Sequence, residues 1–441
     1  MFGVINSSYA GISSIAINPA NMADSRLYAD IQIFSGHLHA QNDFIYFDKG
    51  KYSMSDYIKN PPTSLDSIRN LFDRFEKYEK INGFINMRIN GPGVMFSFGK
   101  HGIAFTNAFR FLASTRNVQT NVADLGFFGL NVMQDHENNF SVPKFNIAGV
   151  SFEELNLSYS NIVVNKKSTH LAFGFTIKGL MGFGGGYFSN NAIDYSYQSI
   201  DSVYFKMDSE YAFALPEEHA NNRLKKGGGI AIDIGFVLQK NTKNRSFEFT
   251  SLKDQKYYGY KYKFGFSIID IGFIKFTENA QFHAFDNATV NYRSVDLLEF
   301  GSLYNYSKTL SYVFFKDSSA SLKGNEFSVS LPATASIQFD YAVGNDFFIN
   351  ATFLQGLNFF KNQIKRPTVL SVTPRWDKKN FQVHFPVTLY NFRQAQIGFA
   401  VNIENVTIGT DRIAFWSKKM CGMDFYVSAK IPLAKNQAVS F

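Results

Sequence analysis

The residues that could do chemistry are few and scattered in this chain of 441 residues. His37 and His39 stand two positions apart, so in a strand they share one face and could in principle hold a metal ion. Polar histidines facing a protein interior are the alternative, and the spacing alone favours it. The sequence has no Gly-x-Ser-x-Gly motif for a nucleophile, and its eight histidines are otherwise dispersed. We therefore predict a non-enzymatic protein with no catalytic residue, no metal and no cofactor.

Two glycine runs and one cysteine complete the candidates for chemistry. The runs Gly184–Gly186 and Gly227–Gly229 are not followed by the Lys-Ser or Lys-Thr pair of a phosphate-binding loop. Cys421 is the only cysteine, which excludes an internal disulfide, and we expect it to be inert.

The elements that must position these residues are alternating segments, of which Phe381–Tyr390 is typical. Its odd positions include Phe381, Val383 and Phe385, and its even positions are mostly polar. Successive side chains of a strand point to opposite faces, so one face is bulky and apolar. The same pattern recurs at Ile85–Asn90, Leu171–Lys178, Ile230–Leu238, Tyr260–Ile269, Val329–Tyr341, Ile397–Glu404 and Met423–Leu433.

The polar faces of these segments carry small residues and only scattered charges, which suits a crowded lumen rather than bulk water. Aromatic residues make up 17% of the chain, mean hydropathy is −0.14, and no apolar run approaches the ~18 residues of a membrane helix. The pattern predicts an all-β fold, a transmembrane antiparallel β-barrel of about 14 strands in the bacterial outer membrane. The position of Gln281–Tyr292 breaks the parity of this count. Either that segment is not a barrel strand or another crossing is missing.

The first 26 residues precede the first strand and are predicted to plug the lumen. Asn18 can cap a helical turn that begins with Pro19 and Ala20, and the residues before it are small and uncharged. A disordered tail is the alternative. Residues 27–441 form the barrel, with long extracellular loops at 48–81, 112–145, 184–227 and 293–326. No secretory signal begins the sequence, so we expect that it has been removed.

One loop carries an amphipathic pattern and the whole chain carries a net charge of +8. Leu65, Ile68, Leu71, Phe72 and Phe75 recur at helical spacing, which predicts a loop helix able to bind a partner or rest on the barrel rim. The net charge is best explained by solvated loop lysines; attraction to anionic lipid or lipopolysaccharide is the other interpretation. We expect no nucleic-acid partner.

Specific strings carry a family resemblance over most of the chain: SSIAINPANMADSR, GGGIAIDIGF, YKFGFSIIDIGFIKF, VTIGTDR and GMDFYVSAKIPL. The sequence resembles a Bacteroidota group of outer-membrane β-barrels related to the long-chain fatty acid transporter (FadL-like) superfamily and to PorV, the barrel subunit that accompanies the type 9 secretion translocon. The resemblance implies that the Asn18-Pro19-Ala20 segment enters the lumen. It leaves the function open.

Two non-enzymatic functions remain. The first is a partner or scaffold subunit of an outer-membrane protein export or assembly complex, which would contact outer-membrane lipid, lipopolysaccharide and other outer-membrane proteins or surface lipoproteins. The second is a gated channel for hydrophobic small molecules, with the N-terminal segment as its hatch. Because the lumen-facing residues are small and polar, the sequence favours the partner role slightly.

Overall fold

The structure is a computed structural model of the 441-residue chain. It describes every residue except 52, 54–58, 60–63, 65–69, 76, 129–138, 167, 200–201, 216–223, 242–255, 258, 294–301, 345, 414–418 and 438–441. Among the described helices, none is both long enough and apolar enough to span a membrane.

The described chain consists mostly of strands. The first part contains β1 (Leu27–Asn42), β2 (Ile45–Asp48), β3 (Phe72–Arg74), β4 (Lys80–Asn90), β5 (Gly93–Phe98), β6 (His101–Gln119), β7 (Asn139–Val142), β8 (Phe145–Lys166), β9 (Thr169–Ser199), β10 (Ser202–Ala214), β11 (Gly227–Asn241), β12 (Lys256–Tyr257), β13 (Tyr260–Phe276) and β14 (Ala280–Arg293). The second part contains β15 (Leu322–Gly324), β16 (Phe327–Ser330), β17 (Thr334–Ala342), β18 (Phe347–Gly356), β19 (Val369–Asp377), β20 (Phe381–His384), β21 (Val387–Tyr390), β22 (Gln394–Ile397), β23 (Phe399–Ile403), β24 (Val406–Thr410), β25 (Lys419–Met420), β26 (Gly422–Ala434) and β27 (Asn436–Gln437).

In the described part of the chain the helices are few and short. They are α1 (Phe2–Ile5), α2 (Thr120–Phe128) and α3 (Leu303–Phe315), with two 3-10 helices at Gly11–Ala16 and Pro19–Met22. Ser302 caps α3, because its hydroxyl accepts a hydrogen bond from the backbone N–H of Asn305 at 3.3 Å.

The strands close a 14-stranded antiparallel barrel, which confirms the predicted fold class. Four wall positions are each occupied by two consecutive strands, namely β4 with β5, β16 with β17, β20 with β21, and β22 with β23. The last strand, β26, pairs with β1 from Leu27↔Ala434 to Gln41↔Gly422 and completes the ring. A closed barrel leaves no sheet edge, so every wall strand has partners on both sides.

The predicted alternation is present in the wall, with polar residues inside and bulky apolar residues outside. Leu157, Ile177 and Ile397 are 58%, 53% and 61% exposed, while their neighbours in sequence face a packed interior. We call the outward residues of the wall strands the apolar belt. An apolar surface that encircles a closed barrel matches the hydrocarbon core of a membrane.

Two details of the predicted strands are corrected. Val329, Leu331 and Ala333 are fully buried rather than outward-facing, because the chain breaks its strand around Pro332, between β16 and β17, and Val329 and Leu331 pack in an internal apolar cluster. Pro386, which cannot donate a backbone hydrogen bond, separates β20 from β21 within the segment that shows the alternation most clearly.

The parity problem at Gln281–Tyr292 is resolved by strands that leave the wall. β9 pairs with β11 up to Gly182, but from Gly185 onward it pairs with β10. β10 in turn pairs with β14, which contains Gln281–Tyr292. We call the distal part of β9 together with β10 and β14 the strand extension. It rises at the end of the barrel where the long connections 43–79, 120–144, 183–226 and 277–333 lie, so β14 is not a barrel crossing.

The predicted loop helix is wrong at its C-terminal end. Phe72–Arg74 forms β3, which pairs antiparallel with β2, and β2 pairs with β25. Tertiary pairing overrides the helical spacing here, because Phe72 packs against Phe47 and Phe75 packs against Tyr46. Leu65 and Ile68 lie outside the described residues.

Candidate functional site

The first 26 residues lie inside the barrel and are held by wall residues from many strands. Asp377 accepts from the backbone N–H of Ser8 at 2.8 Å, and Asp30 accepts from that of Ile12 at 2.9 Å. Lys430 donates to the carbonyl oxygens of Tyr9 and Ala10 at 2.7 and 2.9 Å. Backbone groups of an irregular segment must find partners inside a closed wall, and the polar lumen face supplies them.

Asn18 is the most densely bonded residue of this segment and is fully buried. Its Oδ1 accepts from the backbone N–H of Ala20 at 3.0 Å, which caps the 3-10 helix that begins at Pro19. Its Nδ2 lies 3.1 Å from the Phe236 carbonyl oxygen, 3.4 Å from that of Phe266 and 3.1 Å from Oε1 of Gln338. One side chain therefore both caps the turn and ties it to three wall strands.

Glycines in the wall make room for this turn. A Cβ on Gly174 would lie 2.5 Å from the backbone nitrogen of Ala20, and a Cβ on Gly235 would collide with the Asn18 side chain. Real Cβ atoms do not approach so closely, so a larger residue at either position would push the turn away from the wall. Gly235 thus contacts the Asn18 side chain.

The lumen beside the turn is filled by a balanced network of buried charges. Arg110 bonds Glu154 at 3.0 Å and Asp270 at 2.9 Å, and Lys178 lies 2.9 Å from Asp233 and 2.7 Å from Asp270. Arg88 adds a third cation, 2.6 Å from Glu154. These six side chains come from six different strands, β4, β6, β8, β9, β11 and β13, so the network links much of the wall across the lumen.

A second group of buried charges surrounds Arg375. Arg375, which is 2% exposed, donates to Asp340 at 2.7 Å and to Asp377 at 2.8 Å. Polar cavities of about 50, 70 and 110 Å³ lie around the N-terminal segment, and another of about 240 Å³ is lined by residues that include Arg116, Lys365 and Arg393.

The two histidines singled out by their spacing lie together on one carboxylate. Nε2 of His37 is 3.2 Å and Nδ1 of His39 is 3.0 Å from Oδ2 of Asp424. Within the described residues no three His, Cys, Asp or Glu side chains come close enough to hold a metal ion. Cys421 is buried, and its sulfur accepts from Arg412 at 3.0 Å.

Above the polar lumen, at the end with the long connections, lies an apolar layer. We call it the inner apolar cluster; it includes Phe152, Phe276, Phe327, Leu331 and Ile364. A Cβ on Gly182 or Gly185 would lie 2.8 Å from the Phe276 ring, so the wall is thinned to one backbone layer where the cluster meets it. The connection 357–368 turns inward to contribute Ile364, and it is fixed by a bond from the Gln363 amide to the Leu331 carbonyl at 3.0 Å.

A large apolar cavity of about 1110 Å³ lies on the opposite, outward side of the same wall; we call it the wall cavity. Its floor is the glycine run Gly184–Gly186, and its sides are outward residues of the strand extension and the inner face of α3. Lining side chains include Phe188, Ile193, Met207, Phe213, Leu303, Leu310 and Phe314. Ligand pockets for small molecules are typically of this size and polarity.

The structure assigns a position to α3 that the sequence only hinted at. The Tyr304 hydroxyl donates to the carbonyl oxygens of Asn279 and Leu215 at 2.7 and 2.9 Å, which anchors the helix to the connections on either side of the extension. The apolar spacing of Leu303, Leu310 and Phe314 was the signal for a helix with an apolar face. What it could not indicate is that the extension would stand opposite and leave a space between.

Of the residues predicted to bind a partner, the structure describes Leu71, Phe72 and Phe75. These three are half-buried at the small sheet of β2, β3 and β25, where both phenylalanine rings pack within the chain. Whether this sheet meets another protein stays a prediction.

Comparison with known proteins places the chain in a family and among barrels of low similarity. A model described as a family of unknown function (DUF5723) matches residues 19–411. No curated protein matches significantly. Similar solved structures include the toluene transporter TodX of Pseudomonas putida, 8% identical over 97% of this chain and 95% of that chain with a TM-score of 0.33.

Two further structures are similarly distant. The translocator domain of the autotransporter NalP from Neisseria meningitidis is 7% identical over 91% of this chain and 88% of that chain, with a TM-score of 0.32. A FadL homologue from Pseudomonas aeruginosa is 9% identical over 95% and 94%, with a TM-score of 0.23. At these identities and TM-scores no functional residue is transferred from those proteins.

Proposed function

We propose that this chain, which belongs to the DUF5723 family of unknown function, is an outer-membrane barrel that binds a hydrophobic small molecule in the wall cavity. The observation that carries the proposal is the cavity of about 1110 Å³ whose lining is almost entirely aromatic and aliphatic. Burying apolar ligand surface in such a space is favourable by about 25 cal/mol per Å². Of the two functions considered from the sequence, this supports the gated channel for hydrophobic small molecules.

The position of the wall cavity supports entry from the membrane. Phe111 and Ile147 belong to the apolar belt, 36% and 40% exposed, and both also line the cavity. A hydrophobic molecule dissolved in the bilayer therefore meets a continuous apolar path from the belt to the cavity. The closed antiparallel barrel with an even strand number is the architecture of bacterial outer membranes, which supports that location.

In this proposal residues 1–26 act as the lumen plug, with Asn18, Pro19 and Ala20 as its anchored turn. The buried ion pairs beside them exclude an apolar molecule from the lumen axis, since breaking such a pair costs several kcal/mol, roughly 3–5. Deletion of residues 1–25 should therefore raise ion conductance in planar bilayers, by opening a polar path. Unchanged conductance would count against the plug.

Binding of N-phenylnaphthylamine to the barrel in phosphatidylcholine nanodiscs tests the proposed cavity. Gly184 lies on its floor, and a Cβ there would lie 3.3 Å from the Ala214 carbonyl oxygen, a slightly tight contact that a shift of a few tenths of an ångström relieves, so Gly184→Leu is expected to narrow the cavity. Gly344→Leu is the matched control, because it lies in a turn at the other end with nothing within 4 Å. Saturable binding that is lost in Gly184→Leu and kept in Gly344→Leu is expected. Binding that is not saturable, or equal in both variants, refutes the proposal.

A partner or scaffold subunit is the second candidate, and the filled lumen is the observation that favours it. A barrel closed by an internal segment and by buried charge networks need not conduct anything, and its long connections offer surface to other outer-membrane proteins. Co-purification from native membranes separates the two functions. A stoichiometric protein partner supports the subunit; a barrel that carries only bound lipid supports the ligand-binding function.

A further inference from the structure

One charged side chain interrupts the apolar lining of the wall cavity. Among the described residues that line it, Lys226 alone is charged. The residue is 2% exposed, and its ammonium has no hydrogen-bond partner within the described part of the chain. Burying an ammonium away from water without a partner is strongly unfavourable, so an anion bound beside this side chain would stabilise it.

The backbone of Lys226 is fixed, which keeps the side chain from escaping to solvent. Its N–H donates to the carbonyl oxygen of Gly182 at 2.8 Å, and its own carbonyl oxygen accepts from Thr277 and Glu278 at 3.1 Å each. These bonds hold the residue where β9 parts from β11 and turns to pair with β10. The preceding residue, Lys225, is exposed, so the chain presents one lysine to water and the next to the cavity.

We propose that the wall cavity binds a membrane-borne amphiphile whose single anionic headgroup, a carboxylate or a phosphate, pairs with Lys226. This inference rests on the proposed function, since it names the ligand class of the same cavity. The hydrocarbon tail lies against the aromatic and aliphatic lining, and the headgroup meets Lys226, the one cation among the described lining residues. Charge-assisted bonds to ammonium groups are among the stronger hydrogen bonds, and the dry surroundings strengthen them further.

The path into the cavity fits an amphiphile that arrives from the bilayer. Because Phe111 and Ile147 line both the belt and the cavity, the tail need never cross water. The headgroup reaches Lys226 at the end of the barrel where the long connections lie, the level at which lipid headgroups are expected if that end emerges from the membrane. A carboxylate would come from a free acid, and a phosphate from a phospholipid or lysophospholipid.

Displacement of N-phenylnaphthylamine by three compounds of equal chain length tests the inference: hexadecanoate, hexadecyl phosphate and hexadecanol. The variants are Lys226→Met, which keeps the length and removes the charge, Lys226→Arg, which keeps the charge, and Lys225→Met as the neighbouring control. We expect Lys226→Met to weaken binding of the preferred anion roughly tenfold or more. The affinity for hexadecanol should stay within about twofold of the parent value. Lys226→Arg and Lys225→Met should bind like the parent.

The outcomes separate the two proposals. If the parent binds all three compounds and Lys226→Met binds them equally well, the headgroup inference is overturned while the apolar cavity stands. If none of the three compounds displaces the probe from the parent protein, the proposed function itself fails. A charge-dependent loss with hexadecanoate alone identifies a free acid, and with hexadecyl phosphate alone a phospholipid; either supports the inference. Lys226→Met removes an unpaired charge, so loss of the folded barrel is not expected.

Discussion

Replacing Asn18 with alanine should release the N-terminal segment from the wall. The variant loses the cap on Ala20, worth about 1 kcal/mol, and the Nδ2 bonds to Phe236, Phe266 and Gln338. Leaving the buried acceptors without a donor costs roughly a further 1–3 kcal/mol. Together these terms lower the free energy of local opening by about 2–4 kcal/mol. The open population should then rise by about 30-fold to about 1,000-fold.

Hydrogen exchange followed by mass spectrometry measures that change directly. Peptides from residues 1–26 should exchange faster by the same factor, while peptides from the wall strands should not change, because the charge network between them is intact. Planar-bilayer recordings should show more frequent openings. Asn21→Ala is the matched control: it is an asparagine of the same turn, half-buried, whose side chain makes no hydrogen bond in the described structure.

The reasoning is refuted if Asn18→Ala exchanges at the parental rate. That result would mean that the segment is held by the ion-paired wall residues Asp30, Asp377 and Lys430 and that the turn contributes nothing. A rise of the same size in Asn21→Ala would also contradict it, because the effect would then reflect helical turn formation in general rather than the bonds of one amide.

Three further variants test other parts of the structure. Ile177→Lys places a charge on the apolar belt and should weaken folding into lipid vesicles by about 2–4 kcal/mol in urea titrations, whereas Ile177→Leu should not. Asp270→Asn leaves Arg110 and Lys178 short of a counter-charge and should lower stability by about 3–5 kcal/mol; adding Lys178→Met should recover part of it. Tyr304→Phe should detach α3, seen as faster exchange in that helix and weaker probe binding, at a cost of roughly 1–3 kcal/mol.

The barrel and the Asn18 cap could be predicted because both follow from residues that are close together in the sequence. Alternation with a period of two decides which side chains face lipid, and Phe381, Phe385 and Val387 do face outward, 39%, 49% and 46% exposed. Asn18 before Pro19 is a local capping signal, and the structure has that cap. These features depend on residues a few positions apart, so one sequence is enough to recognise them.

The wall cavity could not be predicted because it depends on pairing between distant strands. β9 changes partner from β11 to β10 at Gly182–Gly185, and β10 then pairs with β14, some eighty positions along the chain. Nothing in the local pattern of β14 distinguishes a wall strand from this extension. The misassigned helix near Phe72 has the same origin, since a three-residue strand is set by its partner rather than by its own spacing.

The two apolar regions on either side of the glycine run explain how a sealed lumen and a ligand site can coexist in one barrel. Inside, Phe276 packs against Gly182 and Gly185; outside, Gly184 forms the cavity floor. Ala148, Val150, Tyr187 and Ala212 belong to the inner apolar cluster and also line the cavity, so a single layer of chain separates the two regions. An apolar molecule in the cavity is therefore adjacent to the inner cluster but remains outside the polar lumen, whose buried charges would have to be unpaired to admit it. In the proposed function the plug and the cavity therefore act on different molecules: the plug would hold back ions and water, and the cavity would bind a hydrophobic molecule from the membrane.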